Sequence, residues 1–354
     1  MNIKSLLLGS AAALAAVSGA QAADAIVAAE PEPMEYVRVC DAFGTGYFYI
    51  PGTETCLKIG GYVRFQADIG QDVNSFNDSD WDTFSRVQLD FTAKSDTELG
   101  TLTSVASVRF EANQDVGYTS NGSSNGAYIN EAYIQLGGFK VGRYYNPWDK
   151  GVNGESDWNS AGQTRMQSVG YFYTGSAFTA GVQVDELSRL KGLGSQDVGI
   201  EAIVTAKFGA VAFDLLGAYD FAAENGAVRA LISAPVGPGT FQALAIWSSG
   251  VGDANFDNAY YARGEWALAA SYAFKVSDKL TITPGGTYVW NSQVDGDGDF
   301  GGDEAYRVGL TVDYTIVPGF TAKVTANYNQ TQADGATVRE NKFWDGFVRL
   351  DRTF

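Results

Sequence analysis

The feature that most restricts how this chain can fold is an alternation of apolar and polar residues with a period of two, repeated along most of its length. From Lys58, the residues Ile59, Gly61, Val63, Phe65, Ala67 and Ile69 are apolar or small, whereas Lys58, Tyr62, Arg64, Gln66 and Asp68 occupy the other parity. Val87, Leu89, Phe91 and Ala93 alternate in the same way with Arg86, Gln88, Asp90 and Thr92, and Phe178, Ala180, Val182 and Val184 with Thr179, Gly181, Gln183 and Asp185. Near the C-terminus Val308, Leu310, Val312 and Tyr314 oppose Arg307, Thr311 and Asp313. Side chains of a strand point to opposite faces in turn, so each segment is a strand with one polar and one apolar face.

The connections alternate as well. Tight ones, at Ser95 to Gly100, Gly137-Gly138, Thr174 to Ala177 and Val317 to Gly319, separate strand pairs, and longer polar segments lie between the pairs. The runs reach about nine residues or more, the length a tilted strand needs to cross hydrocarbon, whereas sandwich strands are commonly about five or six. Counting the runs yields about sixteen antiparallel strands, with short turns at one end and long loops at the other, the pattern of a bacterial outer-membrane barrel. Closure is what makes such a sheet viable in lipid, because it leaves no unpaired backbone edge. Tyr144, Tyr145, Trp148, Tyr171 to Tyr173, Tyr260, Tyr261, Trp290 and Trp344 fall near strand ends, where interfacial girdles place aromatics; loop packing or subunit contact is the other reading for each.

Composition removes competing functions. The chain has no histidine, so imidazole bases, His-dependent triads and His-ligated metals are excluded, and neither a catalytic residue set nor a cofactor is expected. A formal net charge of −17 argues against nucleic acid as a partner. Met1 to Ala22 has an early Lys4, an apolar run from Leu6 to Val17 and small residues at Ala20 and Ala22, which predicts a secretory leader cleaved between Ala22 and Ala23. Cys40 and Cys56 are the only cysteines, and in an exported chain they are expected to pair, stapling a segment over 23–57, two buried thiols being the alternative. The barrel would then occupy 58–354.

Two groups of charged residues bear on function. The stretch 145–163 is the longest in the first half of the chain without alternation, and long irregular segments in compact folds usually have a task. Folded inward, it would turn Asp149, Glu155 and Asp157, set against one Lys150, toward the lumen, with Trp148 and Trp158 as anchors; folded outward, it would be a solvated extracellular loop. Arg64, Arg86 and Arg109 share parity with polar neighbours, and arginine on a lipid face at the bilayer midplane costs about 2–4 kcal/mol, so all three are expected in the lumen. Their distances from the Ser95 to Gly100 turn put Arg86 and Arg109 at similar height; pairing with Asp68, Asp90 or Glu111 would make their role structural. Arg165 follows the irregular stretch with ambiguous parity, and Arg143 shares parity with Phe139 and Val141, as at a subunit contact. Asp295, Asp297 and Asp299 imitate a calcium loop, but Phe300 and Tyr306 stand where such a loop needs glycine and glutamate.

The runs CLKIGGYVRFQAD and GGFKVGRYYNPWDKG and the C-terminal FVRLDRTF, ending in Phe354, resemble the major trimeric porins of Brucella, Rhizobium and related alphaproteobacteria over nearly all of the chain after the leader. The resemblance implies a sixteen-stranded homotrimeric diffusion channel with its third long loop in the pore, a further wall arginine at Arg165 beside Arg64, Arg86 and Arg109, and a terminal Phe354 that serves as an assembly signal. Its surroundings would be outer-membrane lipid and lipopolysaccharide, and its cargo small hydrophilic solutes and ions. The competing classes are a barrel protease or phospholipase, which leans on histidine, and a secreted β-protein with an adhesin or structural role, whose apolar strand faces would have to converge on one core.

Overall fold

The computed structural model describes residues 38–74, 79–113, 126–158, 164–188, 196–251, 258–294, 299–331 and 342–354; the expected leader and its cleavage position at Ala22 and Ala23 lie outside them. Sixteen strands form one closed antiparallel barrel. They are β1 (Cys56–Asn74), β2 (Ser79–Thr97), β3 (Gly100–Asn113), β4 (Gly126–Leu136), β5 (Phe139–Tyr145), β6 (Arg165–Thr174), β7 (Phe178–Ser188) and β8 (Gln196–Phe208), then β9 (Val211–Asp220), β10 (Asn225–Val236), β11 (Gly239–Ser248), β12 (Trp266–Lys275), β13 (Leu280–Trp290), β14 (Ala305–Val317), β15 (Phe320–Gln330) and β16 (Lys342–Thr353). Each pairs with its sequence neighbours, and β16 closes on β1 from Asp345↔Gly70 to Thr353↔Tyr62. Phe354 adds the last rung, its amide and carbonyl each 3.1 Å from the carbonyl and amide of Gly61.

Alternation sorts the side chains as the physics of lipid demands. On β1, Val63 is 46% and Ile69 53% exposed, while Gln66 and Asp68 are buried in the interior. Exposed Val182 and Val184 on β7, and Val308 and Leu310 on β14, continue the outer apolar face. Apolar side chains facing hydrocarbon cost nothing there, whereas polar ones find partners only across the lumen.

Inside, the two halves differ. From β7 to β14 the inward positions include Leu187, Leu216, Leu231, Leu244, Ile246, Ala267, Ala269, Val289 and Ala305, which pack with Trp148, Val152, Tyr260 and Tyr261 into one buried apolar cluster. Strands β9 to β12 therefore carry apolar residues on both faces, among inward polar ones such as Asp214 and Arg229: Leu216 is buried beside exposed Leu215, and Ile246 beside exposed Trp247. From β14 round through β1 to β6 the interior is polar and charged.

A compact cap precedes β1. Asp41–Phe43 forms a 3-10 turn, Tyr47–Tyr49 pairs antiparallel with the start of β1, and Cys40 is disulfide-bonded to Cys56, both cysteines fully buried.

Candidate pore constriction

The segment after β5 begins with a 3-10 turn, Pro147–Asp149, and then bonds along inward-facing side chains of six strands. Lys150 pairs with Asp214 on β9, and the Asn153 amide donates to Gln242 Oε1 on β11 at 2.6 Å. The Glu155 amide donates to Thr311 Oγ1 on β14 at 3.0 Å, and Thr287 Oγ1 on β13 donates to the Ser156 carbonyl at 3.0 Å. Glu155 itself receives Lys323 of β15 at 2.7 Å and lies 3.8 Å from Arg349 of β16. Gly154, with φ at +86°, and Gly285, where a Cβ would lie 2.3 Å from Ser156 Oγ, allow the backbone this close to the wall.

Two further elements hold the segment. Arg229 of β10 donates to the carbonyls of Pro147 at 2.6 Å and Trp148 at 3.0 Å, with its guanidinium 5.1 Å from the Trp148 ring. The segment 258–264 packs on the other side, Tyr261 stacked on Trp148 with ring centroids 6.4 Å apart and Tyr260 donating to Asp185 Oδ2 at 2.8 Å. Arg263 and Arg307 flank Trp158 at 5.6 and 5.8 Å.

The three loop carboxylates, grouped by sequence, have three different settings. Glu155 is half-buried among basic groups. Asp149 accepts from Thr164 Oγ1 at 2.8 Å. Asp157 turns back into its own loop and accepts the Val152 amide at 2.8 Å; burial pushes its carboxyl above the usual range, an effect that amide partly offsets.

On β1, next to β16, Arg64 forms a two-pronged pair with Asp351 at 2.7 and 3.0 Å, and stands directly across from Arg86, which is paired with Glu111. Arg86 and Arg109 are not level. The hairpin closes at Thr97 and Gly100, past the point used to judge their heights, so Arg86 faces Glu111 and Arg109 faces Gln88. Arg109 donates to Gln88 Oε1 at 2.6 Å and to the Tyr145 hydroxyl at 3.2 Å. Arg165 alternates with the outward set of β6, yet donates to Asn130 Oδ1 at 2.6 Å. It reaches that atom because β5 pairs with β4 only as far as Ala132↔Arg143, so the two strands part there.

Sequence reasoning passed over Arg229, Arg263, Arg307, Lys323 and Arg349. Parity marks Arg307 and Lys323 as inward, and register across the closing β16 to β1 seam places Arg349 opposite Gln66, whose Oε1 it binds at 2.5 Å. Arg229 carries no such signal, since its partners are carbonyls of the irregular segment. Four aromatics read as girdle residues, Tyr144, Trp148, Tyr260 and Tyr261, are instead buried inside; Tyr171, Tyr173 and Trp344 are exposed on the outside.

The sequence profile of the Porin subfamily matches residues 24–347. Outer membrane protein IIIA of Rhizobium leguminosarum bv. viciae is 45% identical over 94% of this chain and 91% of its own. Porin Omp2b of Brucella neotomae is 37% identical over the full length of both. Among solved structures, the outer membrane channel DcaP of Acinetobacter baumannii shares the barrel at a TM-score of 0.65 and 15% identity, covering 86% of this chain and 99% of that one. A closed sixteen-stranded barrel with a lipid-compatible exterior, matched along its length by these relatives, belongs to the porin family of outer-membrane channels.

Proposed function

We propose that this porin passes small hydrophilic solutes and ions by passive diffusion through an off-centre aqueous path, narrowed by the segment 145–163. The carrying observation is the run of bonds from Lys150 to Glu155 along β9 to β16, which supports an inward position of the segment. The path then lies between Glu155 with its basic neighbours and the wall of Arg64, Arg86, Arg109 and Arg165. Fixed charges of both signs across a narrow wet gap orient dipolar solutes and sort ions without a covalent step.

The functional unit is a homotrimer, in keeping with the resemblance to trimeric porins, set in outer-membrane lipid and lipopolysaccharide. Phe354, bonded to Gly61 at the barrel seam, serves as the assembly signal. The test is single-channel conductance in planar bilayers of wild type against a chain shortened within Asp149 to Asn159. Discrete steps in threes, larger after shortening, are expected. A heat-modifiable folded barrel that produces no steps overturns the channel reading, and steps of unchanged size remove the segment from the constriction.

A further inference from the structure

A second polar site lies away from the constriction, at the turn-side mouth, between the stapled cap and the wall. A cavity of 520 Å³ is lined there by Phe43 and Tyr47 of the cap, by Thr92, Lys94, Thr101 and Thr103 of β2 and β3, and by Tyr133 and Gln135 of β4. Small-molecule sites span about 300–1,000 Å³, so it is of binding size.

The one charged residue among those that line it is Lys94. Lys94 lies 5.8 Å from the Phe43 ring and 5.6 Å from that of Tyr47, and Lys58 5.8 Å from Tyr47. Lys140, opposite Gln135 in the β4–β5 ladder, lies 4.0 Å from the rings of both Tyr133 and Tyr144. Among the described residues none of the three ammonium groups forms an ion pair, in contrast to Arg64, Arg86, Arg307 and Lys323, all of which do. The carboxylates nearby include Asp41, in the turn that carries Phe43; Asp90, which accepts from Gln88 at 2.9 Å; Asp96, which accepts from Thr101 at 3.4 Å at the turn; and Glu131, which interacts with Lys140 and takes the Tyr145 amide at 3.4 Å.

We propose that this cavity is a docking site for small hydroxylated carboxylates, the sugar acids being the simplest case. Lys94 on the lining, with Lys58 and Lys140 beside the lining rings of Tyr47 and Tyr133, supplies the attraction for the carboxylate. Thr92, Thr103 and Gln135 offer hydrogen-bonding groups to the hydroxyls, and the rings of Phe43, Tyr47 and Tyr133 offer flat faces to the C–H edges. The disulfide-stapled cap thereby gains a task beyond closing the chain end, because it contributes two of the three rings. The site concentrates such anions at one mouth of a chain whose net charge of −17 otherwise repels them.

This inference rests on the open-channel reading, and the experiment separates the two failures. Sodium gluconate is titrated into potassium chloride during bilayer recording of the refolded trimer, with glucose as the uncharged probe. Gluconate is expected to reduce current saturably and glucose not to. Losing partly exposed charge contacts in Lys94→Gln/Lys140→Gln raises the half-blocking concentration about fivefold to tenfold. Lys94→Arg/Lys140→Arg keeps wild-type block. Equal block by glucose, no block by gluconate in a conducting wild-type channel, or unchanged block in the Gln pair each overturns the site. A channel that never opens instead overturns the diffusion reading.

Discussion

The two halves of the barrel interior solve the same problem with opposite means. From β7 to β13 the inward faces are apolar enough to form a core, and segments 146–158 and 258–264 complete it with Trp148, Tyr260 and Tyr261. From β14 through β1 to β6 the inward faces bind one another in pairs: Arg307 with Asp345, Arg64 with Asp351, Arg86 with Glu111. The first half packs and fixes loops, with a few buried charges such as Asp214 and Arg229 bonded to them; the second keeps its charges in pairs. A porin thus resembles a soluble protein on one side of its lumen and a charged surface folded inward on the other. On the proposed reading, the narrowing of the path follows from the packing of the first half, and its ion sorting from the pairs of the second.

The most damaging change for this division is Trp148→Ala. Trp148 is among the largest fully buried side chains, in contact with Arg229, Tyr260 and Tyr261, and truncating a buried Trp costs about 3–5 kcal/mol. Both loops lose their common support. The expected result is a barrel that still closes, because β16 to β1 pairing does not involve the core, but whose channel is larger and noisier. A single-channel record indistinguishable from wild type would show that the packed half does not hold the constriction.

The wet half should behave differently, because its loss is repairable. Arg86 and Glu111 are both nearly fully buried, so Arg86→Leu alone strands a buried carboxylate at a cost of about 3–5 kcal/mol. Arg86→Leu/Glu111→Leu removes both charges and regains most of that loss. The heat-modification midpoint in gel electrophoresis reads this out: the single variant falls and the double recovers. A double variant no better than the single would mean that the pair is part of a wider network, beginning with Tyr128, whose hydroxyl donates to Glu111 at 3.0 Å.

The same division explains what could be seen in the sequence. The period of two is strongest where one face meets lipid and the other meets water, as in β1, β2, β3, β14 and β15, and there strand, parity and the lumen position of Arg64, Arg86 and Arg109 all follow from it. It blurs in β9 to β12, where Leu215 and Leu216, Leu231 and Ile232, Ile246 and Trp247 put apolar side chains on both faces. Periodicity cannot separate lipid from an internal core, since both are apolar. Tyr260 and Tyr261 keep two readings in the sequence for the same reason: an aromatic near a strand end has the same signature whether it faces a headgroup or a tryptophan. Arg165 was ambiguous because its position depends on where β5 leaves β4, which is a matter of register between strands and not of any pattern within one.

The smallest effect expected is also the sharpest test of where ion sorting occurs. Glu155 and Asp157 are two residues apart and equally acidic, yet Glu155 lies between Lys323 and Arg349, while Asp157 is committed to the Val152 amide. Glu155→Gln uncovers two cations beside the path. An exposed pair is worth about 0.2–1 kcal/mol, so the cation-to-anion permeability ratio from reversal potentials should fall by a factor of about 1.4 to 5. Asp157→Asn keeps its bond through the amide oxygen and should leave that ratio nearly unchanged, but it should alter pH dependence. The raised carboxyl of Asp157 favours the folded loop when protonated, a contribution complete below the ordinary aspartate range and lost as pH rises through the raised value. Acidification through that window therefore quietens loop noise in wild type and not in Asp157→Asn. If the two variants changed selectivity equally, the distinct settings of these carboxylates would have no bearing on permeation, and sorting would belong to the arginine wall alone.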